Sequence, residues 1–453
     1  MEKDEFLQEA EALNKLVSSG DILGARERVM NMNPVDIAEL YEELKPENFV
    51  ILFRVLPKDT ASDVFAYLDS DDRETMVKMI SDLELVDIIN RLEIDDLVDI
   101  VDEMPANVVK KILKNTSQDT RKEINKLLSY PENSAGSIMN TRYLSLKEDW
   151  NIKKCINYIR ENGEDRETIN ILYVTDSGRK LSGIIEIRDI ILNEPDEKVH
   201  DVMDKNFIRV HTLDDQEDVA AQFKKYGLIA MPVVDNEERL VGMITVDDVL
   251  HIIEEENEED FEIMHGLSPS EEEYLKSGAF LLAKKRIGWL VFLMLSATFT
   301  SIIINNYEHL LSEVLVLASF IPMLTDTGGN AGSQSSTLVI RGIALGEIEP
   351  SDVFKIILKE INISLMVGVV LGVINVLRLY FLSGQSISVA LTVGISVVCI
   401  IIIAQITGAV LPLVAKSLNF DPALMATPMI TTIVDVLSLL IYFNVAKVFV
   451  IGG

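Results

Sequence analysis

An apolar residue recurs every twelve positions in the first part of the chain. The recurring positions are Leu44, Leu56, Leu68, Ile80, Leu92 and Met104, and Pro46, Pro57 and Pro105 closely follow three of them. A period this short is typical of short stacked helices that share one continuous core, with proline in the first turn. The pattern predicts an all-α helical solenoid over residues 1–130. Its acids, including Asp95 and Asp99, are expected to be solvated, or to lie at an interface that divalent cations bridge.

The next segment contains a repeat with an offset of 59 residues. LSGIIEIRDII at 181–191 is matched by LVGMITVDDVL at 240–250. Each copy is interpreted as strand, turn, strand and helix, with an amphipathic helix upstream. We therefore predict two α/β domains, at 137–199 and 200–253. Tandem units of this pattern resemble cystathionine-β-synthase-type (CBS) domains, which usually bind an adenine nucleotide or transmit a regulatory signal.

The second copy carries a candidate nucleotide site. Gly242, Thr245 and Asp248 form a pattern in which the hydroxyl and the carboxylate could hold phosphate and ribose. The alternative is structural: Gly242 makes a tight turn and Asp248 caps the helix that follows. The first copy has Glu186 where the threonine would be, which argues against two equivalent nucleotide sites.

A dense acidic stretch follows the repeat, and we predict a connecting helix and linker over residues 254–283. Its acids are Glu254, Glu255, Glu256, Glu258, Glu259, Asp260 and Glu262. Like charges at helical spacing repel one another, so this stretch needs counter-ions to lie against another acidic surface. Its position just before the apolar segments favours a gating role over that of a solvated linker helix.

Five apolar segments predict an α-helical transmembrane domain over residues 284–453. They lie at 287–307, 314–340, 361–377, 379–415 and 422–446, lengths that suit a hydrocarbon core. Most basic residues of this part fall on one side of the five-span layout, which places the N-terminal half in the cytoplasm and the C-terminus outside. The charged start of the chain lacks an apolar h-region, so we expect no cleaved signal peptide.

Charge is divided unevenly between the two halves. Residues 287–453 hold 6 Lys/Arg and 9 Asp/Glu, so the first 286 residues carry −28 of the net charge of −31. Such a field repels nucleic acid and anionic headgroups and attracts cations, although it also suits a merely soluble surface. We expect no nucleic-acid partner.

Other classes of chemistry find little support in the sequence. Cys155 and Cys399 are far apart and the five histidines are scattered, so a disulfide framework and a soft-metal site are not expected. No G-x-x-x-x-G-K-[ST] motif occurs, so an ATP-hydrolysing machinery is not expected. We predict that the protein is not an enzyme.

Two of the apolar segments contain unusual polar residues. Asp435 lies near mid-membrane, where a lone carboxylate costs roughly 2.5–3.5 kcal/mol, so we expect it to face a cavity, a partner or an ion rather than to be packed and protonated. Thr431 and Thr432 lie on much the same helix face. The second segment contains IPMLTDTGGNAGSQSS, and polar or broken backbone at this depth must be buried in protein or line a water-filled path. Close helix packing through small residues is the alternative for its glycines.

Together these features resemble the MgtE family of magnesium channels over nearly the whole chain. A second-span motif is matched by Pro322, Gly328, Gly329, Asn330 and Gly332, and a fifth-span motif by Asp421, Pro422, Ala423, Pro428, Thr432 and Asp435. The resemblance implies a homodimer whose pore runs between the second and fifth spans of both subunits. The acid matched by Asp435 then holds hydrated Mg²⁺, and the acidic stretch after Leu250 corresponds to the plug helix of the family. When cytosolic Mg²⁺ is high, ions bridge the acids of the N-domain, CBS domains and plug helix, and the pore closes.

We therefore predict a multi-pass inner (plasma) membrane channel that takes up Mg²⁺ and is closed by intracellular Mg²⁺. The expected pore residues are Asp435, Asn330, Thr431 and Thr432, and the expected regulatory acids are Asp95, Asp99, Asp247, Asp248, Glu254, Glu255, Glu258, Glu259 and Asp421. ATP or another adenine nucleotide at Gly242, Thr245 and Asp248 would act as a modulator rather than as fuel. The alternative is a Na⁺- or H⁺-coupled transporter of the same fold, with Asp326 as the coupling site. Ser333, Leu437, Ser438 and Asp326 depart from the family pattern and leave the selectivity among Mg²⁺, Mn²⁺, Co²⁺ and Ca²⁺ open.

Overall fold

The computed structural model describes residues 3–164, 166–269, 274 and 277–451. The chain forms two compact units, Met1–Ile253 and Glu254–Gly453. Parts of the predicted linker, at 270–273, 275 and 276, and the predicted external C-terminus at 452–453 lie outside the described residues.

The first unit begins with ten helices. They are α1 (Lys3–Ser19), α2 (Ile22–Val29), α3 (Pro34–Glu43), α4 (Pro46–Val55), α5 (Lys58–Ala66), α6 (Ser70–Met79), α7 (Asp82–Ile89), α8 (Ile94–Glu103), α9 (Ala106–Asn115) and α10 (Gln118–Leu127). Each twelve-residue position lies at or just after a helix end, and all six are at most 8% exposed. The twelve-residue period therefore marks the buried apolar residue that follows the end of each helix. The predicted helical N-terminal domain is confirmed.

Alternate helices of this domain pack against each other. Contacts join α3 to α5, α5 to α7 and α7 to α9, as expected of a solenoid. The starts of the helices follow from local chemistry. Pro34 and Pro46 occupy first-turn positions, and Ser81 and Glu84 form a reciprocal capping box at α7.

The repeated segment forms two small sheets with the same topology. The first contains β1 (Ser145–Lys147), β2 (Ile171–Thr175) and β3 (Leu181–Glu186), and the second contains β4 (Val210–His211), β5 (Ala230–Val234) and β6 (Leu240–Thr245). In each sheet the first strand pairs parallel and the third antiparallel with the central strand. The intervening helices are α11 (Ile152–Asn162), α12 (Ile187–Leu192), α13 (Val199–Val202) and α14 (Gln216–Tyr226). The sequence repeat is therefore a structural repeat, and the predicted α/β pair is confirmed.

Equivalent turns connect the second and third strands of the two sheets. Asp176 accepts hydrogen bonds from the backbone of Gly178 and Lys180, and Asp235 does the same for Glu237 and Arg239. Both sheets also have a register irregularity just before this turn. An aspartate that bonds to its own turn fixes the hairpin geometry in both copies.

A single long helix, α15 (Val246–Met264), follows β6. The predicted boundary at 253/254 and the division between the two compact units both fall inside this helix. The acidic stretch is thus a continuation of the last helix of the second CBS domain rather than a separate helix.

The second unit is helical. Its helices are α16 (Ala279–Asn306), α17 (Glu308–Glu313), α18 (Ile321–Ala344), α19 (Val353–Leu377), α20 (Ile387–Ser417) and α21 (Thr427–Ala446). Within the described residues, the helical segments Ala279–Asn306, Pro350–Leu382, Ile387–Ser417 and Pro422–Phe449 are long and apolar enough to cross a membrane. The segment that contains α18 is not among them because of its polar residues, so the count of five spans stays a prediction. The backbone of α18 is nevertheless a continuous helix.

Glycines let α18 approach its neighbours closely. A Cβ added to Gly408 of α20 would overlap the carbonyl oxygen of Gly332 in α18, and a Cβ on Gly332 would lie 2.8 Å from Ile430 Cγ2 in α21. The three helices therefore pack nearly backbone to backbone at this level, as small residues allow in membrane helices.

Replacing Gly408 with alanine tests this packing. The new methyl group must displace the backbone of α18, so we expect a loss of about 1–3 kcal/mol in the free energy of unfolding and a lower melting temperature of the detergent-solubilised chain. Gly288→Ala in α16 is the matched control, because nothing lies within 4 Å of that Cβ position. Equal melting temperatures for the two variants would contradict the close approach.

Candidate functional site

Carboxylates of the N-terminal domain and the CBS pair meet around one buried amide. Asn140 is fully buried, and its Nδ2 donates to Asp95 Oδ1 at 3.1 Å and to Glu167 Oε2 at 2.7 Å. Its backbone N–H and C=O both pair with Met243 of β6. Asn140 thereby links three elements: its side chain joins α8 to the loop before β2, and its backbone pairs with the second sheet.

The carboxyls around Asn140 are held in an environment that disfavours their charged form. Burial, followed by the charge of Asp248, raises the pKa of Asp95 well above its usual range. The same causes raise the pKa of Asp96 to about 6, and burial with the charges of Glu93 and Asp248 raises the pKa of Glu167 to about 8. Like charges at low dielectric each destabilise the other's ionised form, so this cluster is short of positive charge.

Two arginines supply part of the missing positive charge. Arg142 Nη1 donates to Glu93 Oε2 at 3.2 Å, and Arg73 acts electrostatically on Asp96. The pKa values of Asp95, Asp96 and Glu167 stay raised in the presence of these arginines. The remaining excess of negative charge suits a cation.

The predicted nucleotide residues lie where β6 joins α15. Thr245 Oγ1 donates to Asp248 Oδ2 at 2.6 Å, so the threonine and the aspartate already form a pair at the start of the helix. The expectation of a tight turn at Gly242 is wrong, because Gly242 lies inside β6 opposite Val233. It is small because Met139 packs on it: a Cβ there would lie 2.5 Å from the sulfur.

The predicted regulatory acids separate into groups. Asp95 and Asp248 belong to the cluster around Asn140, and the exposed Asp247 acts electrostatically on Glu167. Asp99 is exposed further along α8. Glu254, Glu255 and Glu258 are exposed on α15, whereas the pKa of the half-buried Glu259 is raised by burial and by the charges of Glu256 and Asp421.

Asp421 has a structural task as well. Its Oδ1 accepts from the backbone N–H of Ala423 at 2.7 Å and so caps the short 3₁₀ helix Pro422–Met425 before α21. Its charge is nevertheless close enough to act on Glu259, so two acids of the second unit oppose each other near the start of α21.

Within the described ranges, no three Asp, Glu, His or Cys side chains are arranged as a ready metal-binding group. The acids around Asn140 nevertheless offer carboxylate and amide oxygens, the donor type that Mg²⁺ prefers. Because Mg²⁺ usually keeps several of its waters, such oxygens can hold it without enclosing it.

The predicted pore residues lie on two helices in contact. Gly329 of α18 faces Thr431 of α21, since a Cβ on that glycine would lie 3.1 Å from Thr431 Cγ2. Asn330 is exposed beside Gly329, and Asp435 is half-buried one turn beyond Thr431. The hydroxyls of Thr431 and Thr432 both donate to Pro428 O, at 3.0 and 2.9 Å, which leaves their lone pairs able to accept.

Sequence reasoning missed two members of the cluster, Asn140 and Glu167, and grouped Asp96 with the other acids of its domain, which were expected to be solvated or to lie at an interface bridged by divalent cations. Asn140 lies at the start of the first predicted α/β domain, before its first strand, and Glu167 lies in a loop without regular periodicity. The only available signal was Asp96 beside Asp95 on one short, strongly acidic helix.

The acidic cluster predicts an unusual pH dependence of local stability. Each raised carboxyl holds its proton more tightly when folded, so its stabilising contribution is complete below about pH 4 and is lost as pH rises to about 8. In EDTA, we expect the hydrogen-exchange protection of α8, corrected for intrinsic rates, to fall across this window. Glu167→Gln should flatten the upper part of the decline, and Glu161→Gln, an exposed acid in the same domain, should follow the unmodified chain. Protection that rises with pH would contradict the raised pKa values.

Comparison with known proteins agrees with this architecture. The family model described as MgtE intracellular N domain matches residues 32–133, CBS domain models match 135–195 and 199–255, and the MgtE model, described as a divalent cation transporter, matches 321–445. The magnesium transporter MgtE of Thermus thermophilus is 34% identical over 442 residues, covering 97% of this chain and 98% of the relative. That of Bacillus subtilis is 30% identical and covers 96% of both chains.

A solved structure supports the fold of the first unit. The cytosolic domain of the Mg²⁺ channel MgtE in complex with ATP has 32% sequence identity and a TM-score of 0.52, and the match covers 54% of this chain and 99% of that one. The sequence agrees along nearly the entire length and the fold over about half of it, and the chain belongs to the MgtE family of divalent cation transporters.

Proposed function

We propose that this protein is a Mg²⁺-selective channel for magnesium uptake across the inner (plasma) membrane, closed by intracellular Mg²⁺. The observation that carries the proposal is the place of Asp435, half-buried on a membrane-spanning helix and beside the contact between α21 and the polar helix α18. The names of the similar proteins, magnesium transporters from two bacteria, support the choice of ion.

The exposed polar face of α18 supports a homodimer with a pore between its subunits. Asp326, Asn330 and Gln334 are exposed at intervals of four residues and so form a stripe along the helix. Such a stripe cannot face hydrocarbon and needs protein or water against it. A second copy related by a two-fold axis supplies both, and places two Asp435 carboxylates on opposite sides of one aqueous path.

Hydrated Mg²⁺ suits such a path. The ion gives up its waters reluctantly, so a pore that attracts it through water keeps its hydration shell and lets it leave. Asp435 provides the charge, and Asn330, Thr431 and Thr432 provide neutral oxygens. Entry of a doubly charged ion down the membrane potential releases about 4.6 kcal/mol per 100 mV, which drives uptake without another energy source.

Closure follows from the acids of the cytoplasmic half. Without cations, Asp95, Asp96, Glu167 and Asp248 repel one another, and so do Glu259 and Asp421. Mg²⁺ that binds the compact arrangement better than the loose one shifts the population towards it. Because α15 runs without interruption from Val246 to Met264, a change at its start can reach the acidic stretch along the same helix. Asp99, Asp247, Glu254, Glu255 and Glu258 add to the same negative field.

A nucleotide modulator has separate support. The similar cytosolic domain was solved with ATP, and the present chain retains Thr245 and Asp248 as a hydrogen-bonded pair at the start of α15. ATP held by this pair would act on the helix that carries the regulatory acids, and thus modulate closure.

Asp435→Ala should abolish Mg²⁺ current through the purified, reconstituted chain, because the charge that attracts the ion is removed. Single-channel recording at low cytoplasmic Mg²⁺ measures this, and Glu347→Ala, which removes an exposed acid of the same unit, is the control. Unchanged currents in Asp435→Ala would remove the pore assignment. Strict dependence of flux on a Na⁺ or H⁺ gradient would replace the channel with the coupled transporter.

Removing charge from the acidic cluster should weaken closure. In the double variant Asp95→Asn, Asp96→Asn we expect the cytoplasmic Mg²⁺ concentration that halves open probability to rise at least threefold. The reason is that fewer carboxylates remain to attract the ion, so Mg²⁺ binds the closed arrangement more weakly. The control is Asp119→Asn, which removes an exposed charge of the same domain on α10, outside the cluster. It should leave that concentration unchanged. A double variant that closes like the unmodified chain would locate the regulatory ions elsewhere.

A further inference from the structure

The membrane unit holds a second carboxylate at the depth of Asp435. Helices α18 and α21 run antiparallel, since Gly332 contacts Ile430, Gly329 contacts Thr431 and Gly328 contacts Ser438. Asp326 precedes Gly329 by three residues, and Asp435 follows Thr431 by four. At the helical rise of 1.5 Å per residue, the two aspartates lie within about 1.5 Å of the same level.

The two aspartates also lie on converging faces. Asp326, Gly329 and Asn330 share a face of α18 by their spacing, as Thr431 and Asp435 do on α21. Because Gly329 faces Thr431, the carboxylates flank the same contact between the helices. The charge of Asp326 acts electrostatically on Asp435.

An unsatisfied hydroxyl lies at the same level. Ser438 is 1% exposed, and its Oγ has no hydrogen-bond partner among the described residues. This oxygen is 2.7 Å from the Cβ position of Gly328, between the two helices. A buried hydroxyl without a partner usually signals a missing water or ligand, and Ser438 follows Asp435 by three residues on α21, on much the same face.

We infer that Asp326 and Asp435 together form a two-carboxylate site for the permeant divalent cation, in which Asp326 sets the affinity for the ion. This inference rests on the proposed channel function and adds a residue to its pore. Two neighbouring carboxylates at low dielectric repel each other, and a hydrated divalent cation neutralises both, whereas a monovalent cation leaves one charge uncompensated. Asp326 therefore strengthens ion entry and favours divalent ions over monovalent ones, at the expense of slower exit.

The test is Mg²⁺ uptake by the full chain in proteoliposomes, with outer Mg²⁺ varied and a Mg²⁺-sensitive dye inside. In Asp326→Asn we expect the half-saturating Mg²⁺ concentration to rise at least tenfold, with a maximal flux equal to or above that of the unmodified chain because exit is easier. Asp326→Glu keeps the charge and should stay within threefold. Glu313→Gln is the matched control, since it removes one exposed acid near the same end of the membrane unit.

Each result separates the two proposals. An Asp326→Asn variant with an unchanged half-saturating concentration overturns the two-carboxylate site, and so does a variant that only loses maximal flux, as a packing defect would. Asp435→Asn is measured in parallel. If that variant transports like the unmodified chain, the proposed pore itself fails, whatever Asp326→Asn shows.

Discussion

Carboxylates held close together at low dielectric, with too few cationic side chains to neutralise them, are the constraint on which both units of this protein depend. In the first unit Asp95, Asp96 and Glu167 surround one amide, and the pKa of each is raised by burial and by neighbouring acids. In the second unit Asp435 lies on a membrane-spanning helix. Such arrangements lose stability unless a cation or a proton joins them. The proposed function rests on this: a cation that neutralises the acids changes the conformation of the first unit, and the same type of ion passes beside Asp435 in the second.

The neutral groups around these acids keep them in place. Asn140 donates to two carboxylates and pairs its backbone with β6, so the acids cannot move apart without breaking buried hydrogen bonds. Thr245 holds Asp248 at the start of α15 in a similar way. These hydrogen bonds thus fix the positions of the acids, which keep an excess of negative charge. A bound cation would neutralise that charge without replacing the hydrogen bonds.

In the membrane unit, glycines allow the helices to pack closely. Gly328, Gly329 and Gly332 allow α18 to lie against α21, and Gly408 allows it to lie against α20. This packing covers the small-residue face of α18 and leaves its polar face, with Asp326 and Asn330, exposed in the single chain. Close packing and an exposed polar face are therefore not alternatives for this segment, because different faces of one helix carry them and Gly329 lies where the two faces meet.

Local periodicity determined much of the fold. The twelve-residue pattern located the helix ends of the N-terminal domain, and the 59-residue offset located two sheets of equal topology, since both patterns record which residues turn towards a core. The sequence also singled out Asp95, Asp248 and Asp435. Tertiary structure alone decided that Asn140 and Glu167 join Asp95, that Gly242 lies in a strand, and that α15 continues through the predicted boundary. The two contacts of Asn140 join residues 27 and 45 positions apart, and no local pattern encodes contacts over such separations.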